Sequence, residues 1–202
     1  MTATSTLINV VAPAEQHRIL QAADSLFTEH SIAAVTFTDV AERAGVDVLE
    51  VSDSYPTKRD LLVAVLAYKH QGWVHRLERN GQKIDDPRDE ILAVFSYLEE
   101  CFIDTTWRGC CFVNAYAELG REDQGIADLA LEHFREVERH MASLCLRADL
   151  PDYVSQALTI LIQGARAEAG IHHHAGPARS ARMAAAMLMS VYQTDPAGPD
   201  FF

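Results

Sequence analysis

Positive charge is scarce in this sequence. Its 17 Lys and Arg face 29 Asp and Glu, a formal net charge of −12, which argues against a nonspecific binder of polyanions. Residues 1–70 hold Arg18, Arg43, Lys58, Arg59 and Lys69 against nine acids, a net of −4, and the remainder holds 12 against 20, a net of −8. No apolar run is long enough to cross a bilayer, so no membrane partner is expected. The opening MTATSTLINVVAPAEQ has no basic segment before its short apolar patch and is not read as a signal peptide. Cysteines number only four: Cys101, Cys110, Cys111 and Cys145. Scattered through helix-patterned sequence, they suggest free thiols in a reducing cytoplasm rather than a disulfide framework. No phosphate-binding glycine loop, nucleophile elbow or paired acid/base motif is present, so neither an enzyme nor a cofactor is expected. Asp85-Asp86 and Glu99-Glu100 read as solvated helix surface.

Nine histidines raise the question of a metal. Consecutive His172, His173 and His174 point apart on a helix and lie at an expected helix end before Gly176, where imidazoles can cap carbonyls. His133 and His140 share a face but stand two turns apart, and the adjacent Cys110 and Cys111 also diverge. No ligand set has a recognised spacing, and no metal site is expected.

Apolar residues are plentiful, at 49% of the chain, and their periodicity is helical throughout. Ile19, Ala22, Ala23, Leu26 and Phe27 make one stripe. Thr36 is an expected N-cap for a short helix with Phe37, Val40, Ala41 and Ala44 inward, and Gly45 follows where a left-handed residue turns the chain. Asp47 and Glu50 fit a capping box for a third helix ending near Ser54, with Val51 and Tyr55 inward. Thr57 and Asp60 repeat that logic before a long helix through Leu61, Leu62, Val65, Leu66, Trp73 and Leu77. After a linker over Gln82–Asp86, Asp86 and Pro87 open a helix carrying Ile91, Leu92, Phe95, Leu98 and Phe102. Trp107-Arg108-Gly109 breaks the pattern, and Cys110 to Leu119 forms a short apolar helix. Ile126, Leu129, Ala130, Phe134, Val137, Met141 and Leu144 line the next. Pro151 and Gly176-Pro177 open the last two. The fold expected is all-α with about nine helices: a three-helix helix-turn-helix unit at 14–62 and a regulatory unit at 63–194, between tails at 1–13 and 195–202.

From Arg18 to Leu66 the chain resembles the TetR family of bacterial transcriptional regulators, through RILQAADSLFTEHSIAAVTFTDVAERAGV and then YPTKRDLL. RGCCFVNAYAEL is similar to a run in the regulatory domain of some members. The resemblance implies an all-helical homodimer that binds double-stranded operator DNA, most often as a repressor, and is released by a ligand in the C-terminal domain.

The third helix departs from the family pattern. Val48 and Leu49 occupy the usual base-reading positions, Glu50 replaces a common Thr, and Ser52 stands where a phosphate-contacting Tyr is expected. Val46 to Tyr55 contains Asp47, Glu50 and Asp53 and no Lys or Arg. Asp47 can accept from cytosine, Val48 and Leu49 can touch a thymine methyl, and phosphate contacts fall to Thr36, Thr38, Lys58 and Arg43. The bland alternative is that Asp47 and Glu50 only cap the helix. The rival reading of the whole chain is a TetR-like dimer that no longer reads DNA and serves as a small-molecule or protein interaction module.

In the regulatory half the resemblance implies a ligand cavity between the long helices. Trp73, Phe95, Leu98, Phe102, Phe112, Asn114, Tyr116, Phe134, Gln163 and Arg166 are its candidate lining, suited to a small hydrophobic or aromatic effector. Asn114 or Gln163 would orient it and Arg166 would pair with a carboxylate, although ordinary core packing explains each aromatic singly. Ala157, Leu161, Gly164, Ala165 and Glu168, with Met183, Met187, Leu188 and Val191, form two faces that would make a four-helix seam with a second copy, or else are buried core.

Overall fold

The computed structural model describes residues 14–81, 84–104 and 107–194. The tails expected at 1–13 and 195–202, and Gln82 and Lys83 of the expected linker, lie outside the described residues. Nine α-helices and no strand occur among the described residues. They fall into two compact units, which divide after Gly72.

The N-terminal unit contains α1 (Ala14–Glu29), α2 (Phe37–Ala44), α3 (Val48–Ser54) and the start of α4 (Lys58–Gly81). The α1 stripe buries Ile19, Ala23 and Leu26 against Val40 and Ala41 of α2, Val51 of α3, and Leu61 and Val65 of α4. Two reciprocal capping boxes punctuate it. Thr36 Oγ1 accepts from the Asp39 amide at 3.2 Å while Asp39 accepts from the Thr36 amide at 2.8 Å. Thr57 and Asp60 do the same at the start of α4, each at 3.1 Å. Gly45 ends α2 at φ 65°, a left-handed conformation that glycine takes without a Cβ clash. It sets the tight corner into α3. The third box is only half made: Asp47 accepts from the Leu49 amide at 2.8 Å, and no bond from the Glu50 side chain returns to the cap.

The C-terminal unit begins at Trp73 on α4 and adds α5 (Pro87–Ile103), α6 (Cys111–Leu119), α7 (Gln124–Arg147), α8 (Asp152–His172) and α9 (Gly176–Thr194). α8 packs on α7 and α9, α5 on α9 and α7, and α6 on α7. One apolar core joins them, with Phe95, Leu98, Val137, Met141, Leu144, Leu158 and Ile162 all buried. Asp86 caps α5 by accepting from the Arg88 amide at 2.8 Å. Asp123 caps α7 through the amides of Gly125 and Ile126. The break before α6 turns at Gly109, φ 93°, and lies so close to α8 that a Cβ at Gly170 would stand 2.8 Å from the Gly109 nitrogen. Backbone thus meets backbone where α8 carries Arg166 one turn earlier.

The histidine run differs from expectation. His173 ends α8 in the left-handed region at φ 54°, its amide donating to the Ala169 carbonyl. The imidazoles do not cap carbonyls: the His174 ring accepts from the Gly176 amide at 3.0 Å, and His172 lies 3.0 Å from Glu168. Among the described residues no helix is long and apolar enough to cross a membrane, and no group of three His, Cys, Asp or Glu could hold a metal.

Candidate nucleic-acid interface and effector site

On the N-terminal unit, α3 presents Val48 and Leu49 to solvent, Leu49 66% exposed, while Val51 is fully buried and Tyr55 packs against the core. Asp47, Glu50 and Asp53 are exposed around that pair. The Ser52 hydroxyl donates to its own helix at the Leu49 carbonyl.

The cations expected to offset that acid are engaged within the protein. Arg43 donates through both terminal nitrogens to Glu29, at 2.9 and 3.0 Å, and also to Ser25 Oγ at 2.9 Å. This fork-on-carboxylate geometry holds the Glu29 carboxyl down to about 2, with the Arg43 hydrogen bond as the largest cause and Ser25 second. Lys58 Nζ donates to the carbonyls of Ala33 and Val35 at 2.7 and 3.0 Å, tying the loop before α2 to the start of α4. The Thr36 hydroxyl is committed to Asp39, and Thr38 is exposed. Composition could not reveal these attachments, since each partner is distant in sequence: 14 residues for Glu29 with Arg43 and 25 for Ala33 with Lys58.

In the C-terminal unit, Trp73, Phe95, Leu98 and Phe102 share the main core. Around Trp73 lies a polar inclusion. His133 on α7, 3% exposed, stacks on Phe112 of α6 with ring centroids 3.8 Å apart. It also meets Trp73 edge-on at 5.4 Å. Arg166 on α8, 5% exposed, lies over the Trp73 ring at 5.9 Å and brings Nη1 to 3.5 Å from His133 Nε2. That contact needs Nε2 as acceptor, hence a neutral imidazole protonated at Nδ1. Arg166 Nε and Gln163 Nε2 are both buried without a hydrogen-bond partner. The remaining lining candidates disperse. Asn114 donates to the Arg108 carbonyl at 3.1 Å, Phe134 is only partly buried, and Tyr116 is 50% exposed.

The sequence period itself points to His133. The buried α7 positions run Ile126, Ala130, His133, Val137, Met141 and Leu144, and that spacing places His133, not its neighbour Phe134, on the inner face. Burial raises the Cys145 thiol to about 11, the opposite of an activated cysteine.

Along α8 and α9 an outer apolar face is exposed: Ile160 at 71%, and Met183 and Met187 at 66% each. Leu161, Gly164 and Glu168 flank an open groove between the two helices, with Ala184 opposite. Ala165 is buried beneath it, whereas Val191 remains 40% exposed and Ala157 and Leu188 are half-buried.

A short capped helix, a left-handed glycine corner and a second helix with an exposed front define a helix-turn-helix unit in an all-α protein. The family model for bacterial regulatory proteins of the tetR family matches residues 19–65. The match is confined to those residues, and the fold of the chain is that of solved TetR-family regulators. A TetR-family transcriptional regulator from Streptomyces coelicolor is similar over 87% of this chain and 94% of its own, with a TM-score of 0.80 at 18% identity. One from Legionella pneumophila covers 88% and 98%, with a TM-score of 0.77 at 15% identity. One from Agrobacterium tumefaciens covers 87% and 96%, with a TM-score of 0.76 at 18% identity. No curated protein matches the sequence.

Proposed function

We propose that the protein is a one-component transcriptional regulator of TetR type, acting as a repressor. It binds operator DNA as a homodimer and is released when a small hydrophobic or aromatic ligand occupies the C-terminal unit. The observation that carries this reading is the corner from Thr36 to Tyr55. A full capping box, a left-handed glycine and a second cap hold α3 so that Val48 and Leu49 stand clear of the protein. In the groove these two would meet thymine methyls, and Asp47 would meet a cytosine amine. Phosphates would be held by Thr38 and by backbone amides at helix starts, with Arg43 and Lys58 only where DNA competes for them. The exposed face of α8 and α9 is the proposed seam to the second copy, giving two reading heads. Release requires that the effector bind more tightly to the state that does not bind DNA.

The internal engagement of Arg43 and Lys58 favours a second reading, a TetR-like dimer that has lost DNA binding and serves as a small-molecule or protein interaction module. Fluorescence anisotropy on DNA flanking the protein's own gene, across a salt series, separates the two. The regulator reading expects saturable binding at low salt with a shallow log–log slope, because each neutralised phosphate contributes about 0.9. Absence of any protected or shifted site at low salt would select the interaction module.

A further inference from the structure

Resting on the regulator reading, we propose that the effector is a small aromatic carboxylate, held in the C-terminal unit by Arg166 and Gln163 against the ring stack of Phe112 and His133. The argument begins from a buried cation with too few acceptors. Arg166 is 5% exposed, and among the described residues no carboxylate pairs with it. Its side chain has the Trp73 face, a single long contact to His133 Nε2, and the Tyr97 phenol near enough to feel its charge. A guanidinium taken out of water is unfavourable unless its donors meet acceptors, and a neutral imidazole at 3.5 Å with a ring face supplies little of what is required.

The unmet donors sit together. Arg166 Nε is buried without a partner, and so is Gln163 Nε2, three residues back on the same face of α8. With Nη1 turned to His133, the guanidinium edge that carries Nε is the one left over. A guanidinium edge offers two parallel N–H groups matching the two oxygens of one carboxylate, and the Gln163 amide can add a third donor to the same group. The walls select the rest of the ligand. Phe112 and His133 stack on each other and Trp73 meets His133 edge-on, so the surroundings of the two donors are aromatic, which suits a flat apolar body and opposes a heavily hydrated dianion such as phosphate.

Thermal denaturation of the full-length protein, with benzoate and phenylacetate as carboxylate probes and benzamide as the neutral isostere, tests this directly. The carboxylates are expected to raise Tm in a saturable way and benzamide is not. In Arg166→Met the carboxylate Kd rises about tenfold to a hundredfold, the loss expected for a charge-assisted contact. Because an unpaired buried charge opposes folding, the unliganded Arg166→Met protein melts at the wild-type temperature or above. Gln163→Leu weakens carboxylate binding by a smaller factor. Equal stabilisation by benzoate and benzamide, no shift with either carboxylate, or an Arg166→Met protein that melts well below wild type would each overturn the proposal. The last would make Arg166 a structural residue. Anisotropy on the flanking DNA keeps the two questions apart. Operator binding without carboxylate binding leaves the regulator and removes the anion; carboxylate binding without operator binding does the reverse.

Discussion

Glu29 and His140 show how single side chains here convert environment into pH dependence. Arg43 holds the Glu29 carboxyl at about 2 against an ordinary 4.5, so the folded chain gives up that charge later than the unfolded one. The stability contributed is complete above 4.5 and disappears as the pH falls through 2. Glu29→Gln is therefore expected to flatten the acid limb of a Tm-against-pH curve, and added salt should mask the difference because the pair is at the surface. Glu29→Ala also releases the guanidinium toward a duplex. Operator affinity should rise and the log–log salt slope should steepen by about 0.9, read by anisotropy. His140 runs by the same rule from another cause: burial lowers its pKa from 6.5. Its contribution is full above that value and declines as acid protonates the unfolded chain first. His140→Phe should lessen the fall in urea midpoint between pH 8 and 5.5, followed by tryptophan fluorescence in a Trp107→Phe background, since the Trp73 and His140 rings lie 6.1 Å apart.

For whole helices the question is which acids build α3 and which merely surround it. Asp47 accepts from the Leu49 amide, whereas the Glu50 side chain contributes nothing to the cap. Asp47→Ala should cost about 1 kcal/mol in chemical denaturation, and Asp47→Asn should cost little because an amide oxygen caps as well as a carboxylate. The double variant Asp47→Asn, Glu50→Gln then removes two negative charges from an intact helix. It should bind flanking DNA more tightly than wild type, and unchanged affinity would show that these acids do not face the duplex. Helix boundaries were legible wherever a local rule sets them: Thr36 with Asp39, Gly45, Asp86 with Pro87. The half-made box at Asp47 was not, because the spacing of an acceptor and a carboxylate does not say whether the second side chain turns back. On α7 the period pointed to His133, but an imidazole in an apolar stripe is discounted when polarity is scored before position.

At the level of the molecule, the α8–α9 face makes a claim about assembly that a protomer's own stability does not share. A Cβ added at Gly164 meets nothing within 4 Å, so the protomer tolerates a side chain there. Gly164→Ala should leave the fold intact and stiffen α8 by about 0.5–1 kcal/mol. Gly164→Trp, or Met187→Glu, should halve the mass seen by light scattering while far-ultraviolet dichroism is kept. If the mass stays that of a dimer, the seam lies elsewhere. Small residues and methionines at helical spacing were readable from the sequence, but their exposure was not, since the same pattern serves a buried core helix. Charge shows the limit most plainly. Composition counted Arg43 and Lys58 as available cations, and only the folded chain reveals that Glu29 and two loop carbonyls hold them.

His173 leaves one further mark on this protein's prospects. Its backbone adopts φ 54° with a Cβ in place, at a corner where its amide donates to the Ala169 carbonyl. An imidazole there is a passenger on a bend that suits the smallest residue, so His173→Gly should relieve left-handed strain, offset in part by a freer denatured chain. The net is a gain of up to about 1 kcal/mol, read as a higher midpoint in chemical denaturation. A hardened variant of this kind would give crystallographers and calorimetrists a sturdier starting material.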